Sequence, residues 1–164
     1  MSELATLFTE YGNETVSKLR QSFASKGVNA SGRLSRSVES VVTETQNFTS
    51  LQVSMFEYGV TSEVGRGPTK NSGPGDLLRR IRQWIDDKGL NIPTNEKEGM
   101  AYAITKKIHR EGTLQFQKTK ATGKGSGAIS NVVNEELIDD IISSVADNIV
   151  IETADAIQFN ASNK

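Results

Sequence analysis

The chain has 164 residues, 35% apolar and 24% charged, which suits one soluble domain with a modest core. Lys and Arg total 19 against 20 Asp and Glu, a formal net charge of −1, so a whole-chain basic footprint for nucleic acid is excluded. With no cysteine, disulfide scaffolds, thiolate metal sites and cysteine nucleophiles are excluded, and no apolar run approaches the roughly 18 residues that span a bilayer.

The first residues, MSELATLFTE, are amphipathic and acidic rather than basic-then-apolar, so they do not read as a signal peptide, and the cytoplasm of the producing cell is the expected home. Residues 3–26 read as a helix. Leu4, Leu7, Phe8, Tyr11, Leu19 and Phe23 recur at three- and four-residue steps, Ser2 is the expected N-cap, and Gly27 the terminator. After the turn signal Ala30-Ser31-Gly32, a strand is expected from Val38 to about Thr45, where Val and Thr dominate. A second strand is expected through SLQVSMFEYGVTSEV, with Leu51, Val53 and Met55 on one side and Phe56, Tyr58 and Val60 on the other. The two form a hairpin over about 37–64, turning near Gln46–Thr49.

Residues 65–75 are a Gly/Pro-rich connector. Asp76 is the expected cap of a helix over 77–88 closed by Gly89, with Leu78, Ile81 and Ile85 as its buried stripe and Leu77 and Trp84 beside it. Pro93 breaks the chain, and Thr94 caps a helix over 94–111 whose inner face is Ala101, Ile104 and Ile108, ending at Gly112. The stretch KTKATGKGSG, with Lys118, Lys120 and Lys124, reads as a flexible Gly/Lys-rich loop or arm over 118–131. Asn134 caps a last helix over 135–149. Beyond it the β-branched run Ile149-Val150-Ile151 favours a strand and the later Ala spacing a helix, so both stay open. This is an α+β pattern: a small antiparallel sheet packed by helices. The expected organisation is a core over 1–117 including the N-terminal helix, the arm, and a C-terminal helix and tail over 132–164.

Catalytic patterns fail on spacing. A phosphate loop needs Gly, four residues, then Gly-Lys-Ser/Thr; residues 65–75 hold no Gly-Lys, and Gly123-Lys124-Gly125-Ser126 has Lys118 where the first glycine belongs. The single histidine, His109, sits near a helix C-terminus beside Lys106, Lys107 and Arg110, where a cation is favoured by the helix dipole. Adjacent carboxylates, as in Asp86-Asp87 and Asp139-Asp140, point about 100° apart on a helix and do not converge on one ion. No catalytic residue, cofactor or metal site is expected.

The helix over 77–88 has an unusual charge order. Arg79, Arg80 and Arg82 come early and Asp86 and Asp87 late, against the helix dipole at roughly 0.3–1 kcal/mol per charge. The next helix is conventional, with Glu96 and Glu98 early and Lys106, Lys107 and Arg110 late. The inverted charges either answer to groups outside the helix, nucleic acid or a neighbouring subunit, or are a tolerated cost. A nucleic-acid-binding module using the Arg79/Arg80/Arg82 cluster and the loop lysines is the alternative function. The lack of aromatics within 118–124 argues against base stacking.

Taken together, SGRLSRSV (31–38), FEYGVTSEVGRGP (56–68), LRRIRQWIDDKGL (78–90) and AYAITKKIHREGT (101–113) resemble the neck, or tail-completion, proteins of tailed bacteriophages, often labelled minor tail components. The matching residues are Gly32, Leu34 and Ser37; Glu63, Gly65, Arg66 and Pro68, with Gly67 between them; Ile81, Trp84, Ile85, Lys88 and Gly89; and Ala103, Ile104, Ile108, Gly112 and Thr113. The match spans about residues 15–116, and its specificity lies in order and spacing. The chain departs from the pattern in TKNSGPG, which is longer than the usual passage into the helix. The resemblance implies a non-enzymatic virion protein at the head–tail junction. It would form a homo-oligomeric ring, of six or twelve copies, between the portal-side connector and the tail proteins. DNA would thread the ring without sequence-specific contact, and no membrane is involved. Arg66, Lys70, Arg79, Arg80, Arg82, Asp86, Asp87, Lys118, Lys120 and Lys124 are the candidate subunit or partner contacts.

Overall fold

A computed structural model describes residues 2–28, 30–69 and 76–162, with side chains to residue 151. The chain is α+β. Helix α1 (Glu3–Ser25) is followed by α2 (Arg33–Ser37), an antiparallel hairpin β1 (Glu39–Glu44) and β2 (Thr49–Ser54), and then helices α3 (Tyr58–Val64), α4 (Asp76–Asp87), α5 (Thr94–Glu111), α6 (Leu114–Thr122) and α7 (Glu135–Ser162).

The expected start and stop of α1 are both present. Ser2 Oγ accepts the Ala5 N–H at 3.1 Å, and Gly27 takes φ 65° just past the last turn. In the hairpin, Ser40 pairs with Val53 and Val42 with Leu51, which puts these half-buried residues on the side that α1 covers. The close approach is possible because α1 carries Gly12 there: a Cβ would stand 2.9 Å from Leu51 Cδ1 and 3.0 Å from Ser40 Cβ. The buried cluster is Val16, Leu19 and Phe23 from α1, Leu34 and Val38 from α2 and its end, and Ala128 from the chain before α7. Each large member contributes roughly 1.5–3 kcal/mol by leaving water.

Four expectations change. The second strand ends at Ser54, and residues 58–64 are the helix α3. Phe56, Tyr58 and Val60 are exposed, so their alternation marks no sheet face. Gly59 is buried instead, with Leu34 Cδ1 at 3.3 Å from where its Cβ would be. The stretch expected as a flexible arm over 118–131 is folded. Its first part completes α6, capped by Thr113 Oγ1 on the Phe116 N–H at 3.2 Å, and its second part reaches the core through Ala128. The last helix runs to Ser162, which resolves the choice between strand and helix after residue 149. Trp84, expected beside the buried stripe of α4, is 40% exposed, and of that stripe Ile85 is the fully buried member, with Ile81 half-buried.

Two helix starts also shift. Asp76 and Thr94, expected as caps, are the first helical residues of α4 and α5, and Pro93 precedes α5 with extended backbone. Asn134 does cap α7, accepting the Leu137 N–H at 3.0 Å. No described helix is long and apolar enough to cross a membrane.

Candidate functional site

The stretch Glu63–Pro68 and the stretch around Gly112–Thr113 lie far apart in sequence and form one unit in space. The Arg66 N–H donates to Thr113 Oγ1 at 2.9 Å, and the Thr113 N–H donates to the Arg66 carbonyl at 2.8 Å. One residue set further out, the Thr69 N–H donates to the His109 carbonyl at 3.0 Å, and the Thr69 hydroxyl bonds His109 Nδ1. Two glycines make this clasp possible. Gly65, with φ 83°, ends α3 against the backbone of Phe116, where any Cβ would overlap it. Gly112, with φ 78°, ends α5, and a Cβ there would stand 2.8 Å from both the Arg66 carbonyl oxygen and Phe116 Cδ1. Both positive φ values and both close approaches favour glycine. Gly67 lies against the Phe116 ring.

Glu63 anchors the opposite side of the same unit. Its carboxylate is buried and accepts from Ser126 Oγ (3.1 Å), the Gly127 N–H (3.2 Å), the Ile129 N–H (2.8 Å) and Ser130 Oγ (2.6 Å). Its main-chain carbonyl takes the Ser126 N–H at 2.8 Å and Gln115 Nε2 at 3.3 Å. Burial pushes the carboxyl pKa up, but the donors from Ser130, Ile129, Ser126 and Gly127 together hold it below the usual carboxylate value. The Gly/Ser composition of 123–131, which reads as linker, is what lets backbone N–H groups close around an anion. An open groove beside the carboxylate is lined by Val64, Lys124, Gly125 and Asn131.

The inverted charges of α4 find partners within the chain. Arg79 and Arg80 reach back to Asp76 at 2.7 and 2.8 Å. Arg82 pairs with Glu98, and Asp86 with Lys97, both on α5. Asp87 accepts from Gln83 Nε2 at 2.9 Å. Arg82 and Asp86 thus each face an opposite charge in the first turns of α5, while Arg79, Arg80 and Asp87 find their partners within α4 itself. Each pair is exposed and contributes about 0–1 kcal/mol, comparable to the dipole cost it offsets. Lys88 Nζ bonds the Gly27 carbonyl at 2.9 Å and Gly89 takes φ 61°, tying the end of α4 to the end of α1.

Of the other candidate contacts, Arg66 is half-buried and joins the clasp through its backbone, and Lys118, Lys120 and Lys124 are exposed on α6 and just after it. Lys70 lies outside the described residues. Because α4 packs on α5 and α6 on α3, the arginine cluster and the lysines are carried by different helix pairs. Gly32 (φ 74°) and the buried Leu34 belong to α2 and the core. The residue that sequence reasoning left without a role is Glu63: it stood in the motif, but nothing nearby signalled its partners more than sixty positions away. Comparison with protein-family models, curated proteins and solved structures finds no match for this chain.

Proposed function

We propose that this chain is a structural virion protein of a tailed phage that forms or joins a ring at the head–tail junction, linking the portal-side connector to the tail. The observation that carries this reading is the clasp. Glu63, Gly65, Arg66, Gly67 and Pro68 belong to one segment of the neck-protein pattern and Gly112 and Thr113 to another, and the two segments are in direct contact through Arg66 and Gly67. Residues that recur together in a pattern because they form one structural unit should meet in space, and these do. The roles they take, backbone bridges and a buried carboxylate satisfied by four donors, are architectural. Glu63 is committed to those donors and is held as an anion, which suits a fixed anchor rather than proton transfer.

The test is the particle. Mass spectrometry of purified virions should find this chain at a multiple matching a ring, and particles made without it should accumulate as unjoined heads and tails. Charge reversal at Arg66, which holds the clasp through its backbone rather than its side chain, should lower head–tail joining while leaving the fold intact. Complete, infectious particles lacking the chain would refute the assignment.

A further inference from the structure

The near-zero net charge hides a division along the chain. Residues 66–134 hold thirteen Lys and Arg against six Asp and Glu, while 135–162 hold seven Asp and Glu and no Lys or Arg. Its acidic part is α7, and within its basic part α5 gathers Lys106, Lys107 and Arg110 at its C-terminal end; the two helices pack on different neighbours. α7 lies on α1, where Tyr11 meets Ser144 at 2.8 Å and Asn148 meets Glu3 at 3.3 Å. α5 lies on α4.

On each helix, large described residues of the other side are exposed. On α7, Ile138, Ile142, Ala146 and Val150 follow at four-residue steps on the side away from Tyr11, and the three large ones are 50%, 59% and 66% exposed. Glu135 and Asp139 flank this ridge at its N-terminal end. On α5, the outward side has Gly99 and Ala103 along its middle, Tyr102 beside them at 53% exposure, and Lys106, Lys107 and Arg110 at the C-terminal end. Among the described residues nothing calls for a glycine at position 99. It sits inside a helix, where glycine is disfavoured relative to alanine, and a Cβ there would meet nothing within 4 Å. Gly12 of α1 shows the contrast: the same residue type, at a place where the hairpin presses on it.

We propose that copies of this chain associate head to tail, the acidic, ridged face of α7 on one copy seating antiparallel on the basic, small-residue face of α5 on the next. Antiparallel seating brings Glu135 and Asp139 to Lys106, Lys107 and Arg110. It also lays Ile142 and Ala146 over Ala103 and Gly99, where the missing side chain admits them. Because donor and acceptor faces differ, the contact is heterologous and repeats from copy to copy. The inference deepens the ring reading and rests on it only for closure into a ring; the contact itself stands on charge and shape.

Sedimentation of the full chain at low and high salt tests it. Self-association should weaken as salt rises, since the matched charges are exposed. Gly99→Leu, which fills open space in the monomer, should keep the thermal midpoint yet raise the association constant's reciprocal at least about tenfold, as should Ile142→Asp. Mixing these two variants gives the decisive result. One retains a donor face and the other an acceptor face, so together they should form a one-to-one dimer that grows no further. Asp139→Lys should be rescued by Lys107→Asp. A wild-type oligomer unmoved by Gly99→Leu and Ile142→Asp overturns this contact and leaves the ring reading standing. A wild-type chain that stays monomeric at its solubility limit also overturns it, while the ring reading is then decided by the content of the particles.

Discussion

Replacing Glu63 with alanine removes the acceptor shared by Ser126, Gly127, Ile129 and Ser130. The two hydroxyls border the groove and can turn to water. The Gly127 and Ile129 N–H groups flank Ala128, which is fully buried, and lose an ionised partner they cannot replace cheaply. At about 1–3 kcal/mol for each such donor, with a smaller loss for the hydroxyls, Glu63→Ala should cost about 3–5 kcal/mol. Glu63→Gln keeps one carbonyl oxygen but turns an NH2 group toward donors, so about 2–3 kcal/mol is expected. Urea titration reads both values as a lowered midpoint at unchanged slope. The pH dependence separates the anion from the shape of the side chain. A carboxyl whose folded pKa is depressed stabilises fully above its unfolded pKa of about 4.3 and loses that contribution as pH falls through the folded value. The gap between wild type and Glu63→Gln should therefore be constant above about pH 5 and close progressively in acid. A Glu63→Ala chain within about 0.5 kcal/mol of wild type, or a gap that does not change with pH, would refute the anchoring role assigned to this carboxylate.

Gly65→Ala should cost more than about 3 kcal/mol, because it adds overlap with the Phe116 backbone to a left-handed conformation, whereas Gly89→Ala, at a similar φ in open space, should cost only about 1–2 kcal/mol. Equal melting shifts for the two would show that φ alone, and not the clasp, sets the requirement. Arg82→Glu should destabilise by about 1 kcal/mol by facing Glu98, and adding Glu98→Arg should recover most of it; a double-mutant cycle with no coupling would mean the α4–α5 pair is a bystander.

What the sequence made legible follows a physical line. Where the signal is local, it reads well: Ser2 and Gly27 bracket α1, Asn134 opens α7, Gly112 closes α5, and the Val/Thr-rich run from Val41 to Thr43 pairs as expected. Misreadings arise where distant partners decide. Met55–Val60 alternates like a strand, yet a buried Gly59 against Leu34 and a Glu63 aimed at residues 126–130 require a helical turn there. The Gly/Ser run after α6 has linker composition because the same small residues serve flexible chain and an anion-binding turn alike. Only the carboxylate more than sixty positions upstream distinguishes the two.

The charge order of α4 shows how such ambiguity resolves. Read alone, three arginines early and two aspartates late oppose the helix dipole and invite an external partner. With α5 alongside, Arg82 meets Glu98 and Asp86 meets Lys97 in the first turns of α5, while Arg79 and Arg80 meet Asp76 at the start of α4 itself, so the inverted charges are answered pair by pair within the chain. The same reasoning separates what the fold accounts for from what it leaves over. Gly12, Gly65 and Gly112 each have backbone or side chains pressed against them, and the α4 charges have partners. On the outward faces of α5 and α7 more is left over among the described residues: Arg110 pairs with Glu111 and Lys106 lies over the Tyr102 ring, but Gly99 has nothing within 4 Å of where its Cβ would be, and Ile138, Ile142 and Val150 are exposed beside acids on a helix that has no Lys or Arg. Features that cost stability and gain nothing among the described residues are the ones a contact between copies would explain, which is why the proposed interface is placed on these two faces rather than at the arginine cluster, whose charges are already paired.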